Sequence, residues 1–561
     1  MEEVKRHVLR VLGEAASEEI SPEDLVSSPV SDFGSPVAFK LAKRLKRNPA
    51  DIASEIVAKI KPDRFIRGAT SEGGYVNFEL DYRGVTEVLL SGGEAFKRKG
   101  KVVLEHTSVN PTGPVHVGRI RNSLIGDCLR RILGFWGYDV ETHYYVNDIG
   151  KQVAIIAAGI TGGVEQDSGL KANYGSYGRR GDYDIFFTYV AANRRFEGDV
   201  GFQERVQSMI KAAESGDMKS LEGITSVAKR CLQGQLETFN RLGIRFDVFD
   251  YESEFLNDGS VGRVLDDVRR DSRYLKSEVG EGLDLEEYGI DKRGGMSVLA
   301  RADGTSVYLT RDVAYHLRKV KLGERVINVL GEDHKLEFQE LKAILSGVFK
   351  IDTPIEAVHF SFVSFEGTKF STRKGEIATV DELLDEAISK AKAEVDKRKI
   401  GDDRTAQAVG IGAVRFHITK TSPNKQITFR WEDALNFEGD SGPYVQYAHA
   451  RSCRIIEKCG VDLEEIKDVD YDITDEEEKK LVLKLLEFSD VVEYAAKQLR
   501  PDLVASYLIE LTGVYGGFYM NCPVLDSEGG VRNRRLLLVA KLRDTIKTGL
   551  GLLGIEAPDR M

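Results

Sequence analysis

The chain has 561 residues, of which 42% are hydrophobic and 30% charged, and its formal net charge is −11 at pH 7. A chain of this length exceeds what one hydrophobic core supports, so we expect a soluble globular protein of several domains. The acidic balance argues against a general nucleic-acid binder, although a basic strip on one face is compatible with it.

The N-terminal residues and the cysteines indicate the compartment. The stretch MEEVKRHVLRVLGEA is charged and helix-like and lacks the apolar core of a secretory signal. No apolar run approaches the roughly 18 residues that suggest a membrane span. The cysteines are scattered without a CxxC pair: Cys128, Cys231, Cys453, Cys459 and Cys522. We therefore predict a cytoplasmic protein with reduced thiols, no membrane partner and no zinc site.

Residues 1–98 mix helical and strand patterns, which predicts a small α+β domain. FKLAKRLKRNPADIASEIVAKI has apolar residues at three- and four-residue spacing and a break at Asn48-Pro49, so it predicts two amphipathic helices. GGYVNFELD, from Gly73, alternates like a half-buried strand. Residues 91–101 are small and basic and predict a linker.

A strand, a loop, a helix and a second strand follow from Val102, the βαβ pattern of a parallel sheet. VVLEH predicts a buried strand, HVGRIRNSLIGDCLRRILGFWG a helix, and YDVETHYYV the next strand. We therefore predict a Rossmann-type α/β domain over residues 99–385.

The remaining patterns predict an insertion and a helical domain. Charged helices over about 150–245 predict an insertion in the sheet domain. Strand-like runs return at FDVFDY, TSVYLT, RVINVLG and AVHFSFV. Long helices then dominate residues 386–561, which predicts an all-α bundle.

Two polar loops are candidates for chemistry. NPTGPVHVGRIRN follows the first strand, where parallel sheets bind ligands and helix N-termini attract phosphate. Its His116 could donate to a phosphate, and Gly118 allows a ligand to approach the backbone. EGTKFSTRKGE places positive charges where a leaving pyrophosphate would need them. Taken singly, a loop histidine and a basic turn are more often structural or solvated.

Together the two loops resemble the HIGH and KMSKS motifs of class I aminoacyl-tRNA synthetases, with HVGR at 116–119 and KFSTR at 369–373. The flanking text is similar to arginyl-tRNA synthetase in family order and over nearly the whole chain. The similar stretches are EHTSVNPTGPVHVGRIRN, YLTRDVAYHL, NVLGEDHKLEFQ, FEGDSGPYVQYAHAR and LGLLGIEAPDRM.

The resemblance implies an arginine site. Glu105, Tyr308 and Asp312 are expected to face the arginine side chain, and Asn110 and Glu252 to hold its α-amino and carboxylate ends. The chemistry agrees independently, because a guanidinium needs carboxylates placed for bidentate contact. Glu105 in VVLEH, Glu252 in FDYESEF and Asp312 in YLTRD are predicted to be strand-end acids. Taken alone, each of these acids is better explained by a surface salt bridge.

The resemblance also implies an ATP site. His116, Gly118, Lys369 and Ser371 are expected to bind ATP, and His334 to lie near the adenosine or the amino acid. Two motif positions depart from the family, since Arg119 replaces the last His of HIGH and Thr372 the second Lys of KMSKS. The Lys that some members place just upstream of HIGH is Gly113 here. Arg119, Arg373 and Lys374 are the proposed catalytic substitutes.

The implied reaction joins arginine to ATP as arginyl-adenylate, with Mg²⁺ on the phosphates, and then transfers arginine to tRNA(Arg). By resemblance, activation should require bound tRNA. The helical domain is expected to hold the anticodon, with RNA-contact candidates Tyr447, Arg451, Tyr519 and Met561, by base stacking and polar edges. Ordinary helix packing explains Tyr447 equally well. The N-terminal domain is expected to touch the outer corner of tRNA, with Asn77 as its candidate contact.

Two alternatives remain open. A cysteinyl synthetase would show zinc-ligand cysteines at the site, and these are missing from the sequence. A non-catalytic tRNA-binding paralogue is compatible with the altered motifs, and it would bind tRNA and ATP without releasing pyrophosphate. A monomer is the default expectation.

Overall fold

The computed structural model describes residues 2–28, 30–91, 96–166, 168–214, 217–291, 295–365 and 378–561. The N-terminal elements are α1 (Glu2–Ala16), β1 (Val26–Ser27), β2 (Phe33–Ser35), α2 (Val37–Leu45), α3 (Pro49–Val57), β3 (Ile66–Glu72), β4 (Tyr75–Leu80) and α4 (Tyr82–Ser91). The antiparallel sheet has the order β1-β2-β4-β3. The predicted helix break is confirmed: Asn48 caps α3 by accepting the Ala50 N–H, and Pro49 begins the helix.

The central region continues with β5 (Lys101–Glu105), α5 (Ile120–Phe135), β6 (Asp139–Val146), α6 (Lys151–Thr161), α7 (Ser168–Ala172), α8 (Gly181–Gly198), α9 (Val200–Glu214), α10 (Met218–Arg241), β7 (Val248–Tyr251), α11 (Glu252–Asn257) and α12 (Ser260–Arg269). It is completed by β8 (Tyr274–Ser277), β9 (Gly280–Leu283), β10 (Ser297–Arg301), α13 (Tyr308–Lys319), β11 (Arg325–Gly331), α14 (Lys335–Gly347), β12 (Ile355–Phe360) and β13 (Val363–Phe365).

The predicted parallel sheet is present, with the order β12-β11-β5-β6-β7. This is a doubly wound α/β sheet whose strand order reverses between β5 and β11, which is where such folds bind ligands. Helix α5 packs on the sheet through a buried stripe that includes Ile120, Leu124, Cys128, Leu129 and Ile132. Helices α6 to α10 lie between β6 and β7 in the chain and have a core of their own.

The last region is helical. Its elements are α15 (Val380–Arg398), α16 (Asp403–Thr419), β14 (Ile427–Phe429), α17 (Trp431–Ala434), α18 (Gly442–Cys459), α19 (Glu476–Leu486), α20 (Phe488–Gln498), α21 (Asp502–Asn521) and α22 (Gly529–Leu552). A buried Arg415–Asp127 ion pair of 2.6 Å joins α16 to the middle of α5. The helical region is therefore bonded directly to the helix that follows HVGR.

One predicted strand was wrong. TSVYLT reads as a strand because its residues are β-branched or aromatic, but α13 begins at Tyr308 in the middle of it. The helix forms because the apolar positions after Tyr308 recur at helical spacing, with Val313, Ala314 and Tyr315 buried. Across the described ranges, no helix combines the length and the apolar character that crossing a bilayer requires.

Candidate active site

The HVGR motif forms a capped turn at the carboxyl end of β5. His116 precedes a short 3₁₀ turn of Val117–Arg119, and its Nδ1 accepts the Gly118 N–H at 3.0 Å. Burial and the charge of Arg119 lower the pKa of His116, so the ring is neutral at pH 7. With Nδ1 accepting, the proton of the neutral ring lies on Nε2, which is then a donor.

The two residues after Val117 leave this turn open to a ligand. A methyl group on Gly118 would lie 3.1 Å from His116 Nδ1, so an alanine there would push against the ring. The Arg119 side chain is exposed, and within the described ranges it has no hydrogen-bond or ion-pair partner. The turn therefore combines a neutral donor, an open backbone and a cation that can reach a phosphate.

The loop before His116 is held by the helices between β6 and β7. Gln235 of α10 donates to the Gly113 carbonyl at 2.7 Å and to the Asn110 carbonyl at 3.2 Å. A methyl group on Gly113 would come within 3.0 Å of Phe186 in α8. The loop therefore has one packed conformation, and a lysine at Gly113 would not fit it unchanged.

The chain that follows the second motif returns to the first. The Val117 N–H donates to the Ala378 carbonyl at 3.0 Å, and the Val380 N–H donates to the Val115 carbonyl at 2.9 Å. Thr379 forms a capping box with Glu382 and begins α15. Four predicted residues, Lys369, Ser371, Arg373 and Lys374, lie outside the described residues, so their roles stay predictions.

Three acidic residues surround Tyr145 beside this turn. Glu105 ends β5, Glu252 begins α11, and Asp312 lies in α13, and the charge of each raises the pKa of the Tyr145 hydroxyl, which burial raises most. Asp312 is therefore not the strand-end acid that we predicted, because YLTRD is helical. It reaches the same place from the second turn of α13.

The three carboxylates differ in their partners. Glu252 is ion-paired with Arg311, and Glu105 with Lys319. Asp312 has no hydrogen-bond partner for its carboxyl in the described part of the chain. Burial, and then the nearby charge of Glu105, raise the pKa of Asp312 to about 7. A bound cationic ligand would form an ion pair with the Asp312 carboxylate.

Glu105, Glu252 and Asp312 around Tyr145 are called the acidic pocket, and the other predicted ligands have the following contacts. Tyr308, the first residue of α13, is 71% exposed, and its ring lies 5.8 Å from the Arg311 guanidinium carbon. The exposed Asn110 amide donates to Gln152 at 3.2 Å and accepts from Asn147 at 3.1 Å. His334 is exposed after β11 and bonds Glu337 through Nδ1 at 2.7 Å. Since β11 and β5 are neighbours, His334 and His116 follow adjacent strand ends.

Sequence reasoning missed three residues that support the site. Lys319 lies seven residues after Asp312, a spacing that places both on one face of a helix and could have indicated it. Arg121 is buried in α5 and donates to the carbonyls of Ser361, Ser422 and Lys425, which ties the helix to the loops around β13 and β14. Gln235 carried no sequence signal, because it belongs to a distant helix.

The predicted RNA contacts of the helical region share one cavity. Tyr447, Arg451, Tyr519 and Met561 line a volume of about 410 Å³ together with Arg454 and Lys458. The Arg451 guanidinium carbon lies 4.8 Å from the Tyr447 ring and 4.5 Å from the Tyr519 ring. Aromatic faces, cations and an open cavity are what an unstacked base requires.

Asn77, the candidate tRNA contact of the N-terminal domain, is buried in the antiparallel sheet. Its side chain is 4% exposed and accepts from Ser28 Oγ at 3.2 Å. Strand β2 pairs with β4 and places Gly34 opposite Asn77. In this conformation Asn77 holds the β1–β2 segment, and its RNA contact stays a prediction.

One group of possible metal ligands occurs in the described chain, His449, Cys453 and Asp559, with ligand atoms within 4.8 Å of one another. Arg543 and Lys547 lie close enough to oppose a cation there. Each of the five cysteines, all within the described ranges, is free of a disulfide.

Comparison with known proteins agrees with this geometry. The sequence matches tRNA synthetases class I (R), catalytic domain, over residues 84–431; the DALR anticodon binding domain over 445–561; and the arginyl tRNA synthetase N terminal domain over 2–80. It is 38% identical to the arginine–tRNA ligase of Methanocaldococcus jannaschii, covering 100% of both chains. It is 40% identical to that of Methanocella arvoryzae, covering 96% of this chain and 95% of the other.

Solved structures give the same answer. The arginyl-tRNA synthetase of Thermus thermophilus superimposes with a TM-score of 0.83 at 29% identity, covering 99% of this chain and 100% of the other. The Plasmodium falciparum enzyme shares the fold, with a TM-score of 0.78 at 18% identity and coverage of 100% and 99%. The chain belongs to the arginyl-tRNA synthetase family.

Proposed function

We propose that the protein activates L-arginine with ATP to arginyl-adenylate and transfers the arginyl group to the 3′-terminal adenosine of tRNA(Arg). The observation that carries this proposal is the acidic pocket beside HVGR, in which Asp312 alone of three acids has no cationic partner among the described residues. A guanidinium supplies the missing charge and donates in a planar fork.

The arginine is positioned by the edges of the pocket. Its guanidinium lies between Glu105 and Asp312 against the ring of Tyr308. Asn110 and Glu252 bind the α-amino and carboxylate end. This places the substrate carboxylate toward the HVGR turn, where it attacks the α-phosphate of ATP in line with the leaving pyrophosphate.

ATP binding is assigned to the turn and to the neighbouring strand end. His116 donates from Nε2 to a phosphate oxygen, and Gly118 allows the nucleotide to lie against the backbone. His334 lies on the adenosine side. Arg119 and the predicted cations Lys369, Arg373 and Lys374 stabilise the charge that develops on pyrophosphate, and Ser371 assists them. Mg²⁺ held by the ATP phosphates would neutralise part of their charge.

The tRNA partner is assigned to two surfaces. The cavity of Tyr447, Arg451, Tyr519 and Met561 holds an unstacked anticodon base, and residues 1–98 contact the outer corner. The Arg415–Asp127 pair joins the helical region to α5, whose first turn follows His116, and this supports activation that depends on bound tRNA. The proposal includes three domains, with bounds 1–98, 99–385 and 386–561. It also includes a cytoplasmic location and a monomeric state.

Aminoacylation of a tRNA(Arg) transcript tests the proposal. Labelled arginine should become acid-precipitable with ATP and tRNA(Arg), and no other amino acid should replace it. His116→Ala should reduce the rate while tRNA binding persists. A protein that binds the transcript but never charges it would instead be the non-catalytic paralogue.

A further inference from the structure

Lys319, at the end of α13, is a fully buried lysine beside the proposed arginine pocket. Its side chain is 0% exposed. The ammonium donates to Glu105 Oε2 and to Asn328 Oδ1, the latter at 2.6 Å, and lies 4.2 Å from the centre of the Tyr315 ring. Burying an ammonium is costly unless it is paired and hydrogen-bonded. Lys319 is therefore stable in this position only through its bonds to Glu105 and Asn328, which suggests that the pair has a role at the site.

Glu105 is held at one oxygen only. Oε2 accepts from Lys319, whereas Oε1 has no hydrogen-bond partner in the described ranges. The Asn328 side chain is itself fixed, since its Nδ2 donates to the Glu356 carbonyl at 3.2 Å and its Oδ1 faces His316 Nε2 at 3.2 Å. Lys319 therefore ties Glu105 to β11 and leaves one carboxylate oxygen for a ligand.

The charges of the pocket also depend on Lys319. Among the three acids of the pocket, Glu252 is paired with Arg311 and Glu105 with Lys319, which leaves Asp312 as the carboxylate without a cationic partner in the described ranges. The single unpaired negative charge of Asp312 matches the single positive charge of one guanidinium. Without Lys319, the neighbouring carboxylates of Glu105 and Asp312 would both lack a cationic partner. Repulsion between them would favour protonation of one of the two.

We propose that Lys319 is the positioning residue that fixes the Glu105 carboxylate, so that Glu105 and Asp312 together select a singly charged guanidinium. This inference rests on the proposed function of the same pocket. Lys319 acts through Glu105 and touches neither ATP nor the reacting carboxylate.

Arginine-dependent ATP–pyrophosphate exchange with tRNA present separates this role from a merely structural one. Lys319→Met should raise the KM for arginine at least tenfold and leave the KM for ATP within twofold. Lys321→Met, which removes an exposed lysine just after α13, is the matched control and should change neither constant.

A double-mutant cycle with Glu105→Gln tests the coupling. Lys319→Met should change the arginine KM of the Glu105→Gln enzyme by less than twofold, because its partner carboxylate is gone. Equal factors in both backgrounds, or a parallel rise in the KM for ATP, would overturn the proposal.

The coupling can also be tested if the Lys319→Met variant does not fold. If Lys319→Met alone fails to fold, the Glu105→Gln/Lys319→Met enzyme, in which both charges of the Lys319–Glu105 pair are removed, is compared with Glu105→Gln. Equal arginine KM values support the proposal, and a further tenfold rise refutes it. A wild-type enzyme without arginine-dependent exchange would instead refute the proposed function itself.

Discussion

Protonation of Asp312 should control arginine binding in the physiological pH range. Burial and the charge of Glu105 raise its pKa from 3.8 to about 7, while Lys319 opposes the shift. Below that pH the carboxyl is neutral and cannot pair with a guanidinium. Arginine itself stays cationic, because its pKa exceeds about 12. The acidic limb of the profile therefore belongs to the enzyme.

The magnitude follows from the titration. A carboxyl with a pKa of about 7 is about one-tenth ionised near pH 6 and about nine-tenths ionised near pH 8. The kcat/KM for arginine should therefore rise about ninefold between these values. Burial and the charge of Arg119 lower the pKa of His116 below its ordinary value, so its ionisation lies on the acidic side of the limb assigned to Asp312.

The assay is aminoacylation with saturating ATP and tRNA, arginine being varied at each pH. Asp312→Asn should lower kcat/KM for arginine and remove the acidic limb. Asp266→Asn, on the outer face of α12, should retain both the rate and the limb. An acidic limb that survives in Asp312→Asn, or a flat wild-type profile over this range, would show that Asp312 does not control arginine binding.

The stability of the ligand-free fold should fall with rising pH, whereas arginine binding should strengthen. A carboxyl whose pKa is raised on folding stabilises the fold most when it is protonated, and that stability is lost as pH rises from about 4 to about 7. Each pH unit in this window lowers the free energy of unfolding by at most about 1.4 kcal/mol. Asp312→Asn should therefore raise the melting temperature of the ligand-free protein more at about pH 8 than at about pH 5, and a constant or smaller gain at pH 8 would contradict this.

Three further predictions concern the other parts of the site. Gly118→Ala should lower kcat/KM for ATP by about tenfold, roughly 1.4 kcal/mol, by displacing the His116 ring, whereas Gly134→Ala, which meets open space, should not. Lys374→Ala should slow pyrophosphate exchange by on the order of 100-fold with little change in arginine KM; an unchanged rate would remove this residue from the mechanism. Tyr519→Ala should raise the KM for tRNA by about tenfold through lost stacking, and Tyr494→Ala, another exposed tyrosine, should not; equal effects would count against the anticodon cavity.

The parallel sheet, the HVGR turn and the helical region were predictable because their signals are local. VVLEH and RVINVLG read as buried strands, and β5 and β11 form there. TSVYLT misled because its residue types favour a strand, and the helix is chosen by the packing of Val313 and Tyr315.

The candidate site was predictable in its residues and less so in its contacts. The acids Glu105, Glu252 and Asp312 were named by resemblance to a family, and the structure brings them around one tyrosine. Their cationic partners were not foreseen, because Lys319 is 214 residues from Glu105 and Arg311 is 59 from Glu252. Contacts of that separation are set by the topology of the sheet and carry no local pattern.

Arginine-dependent ATP–pyrophosphate exchange, with and without tRNA(Arg), tests the central claim most directly. We expect exchange with arginine and tRNA together, and none when either is left out. Exchange without tRNA would keep the enzyme and contradict the dependence on tRNA. The absence of exchange under all conditions, in a protein that still binds tRNA, would contradict the catalytic assignment.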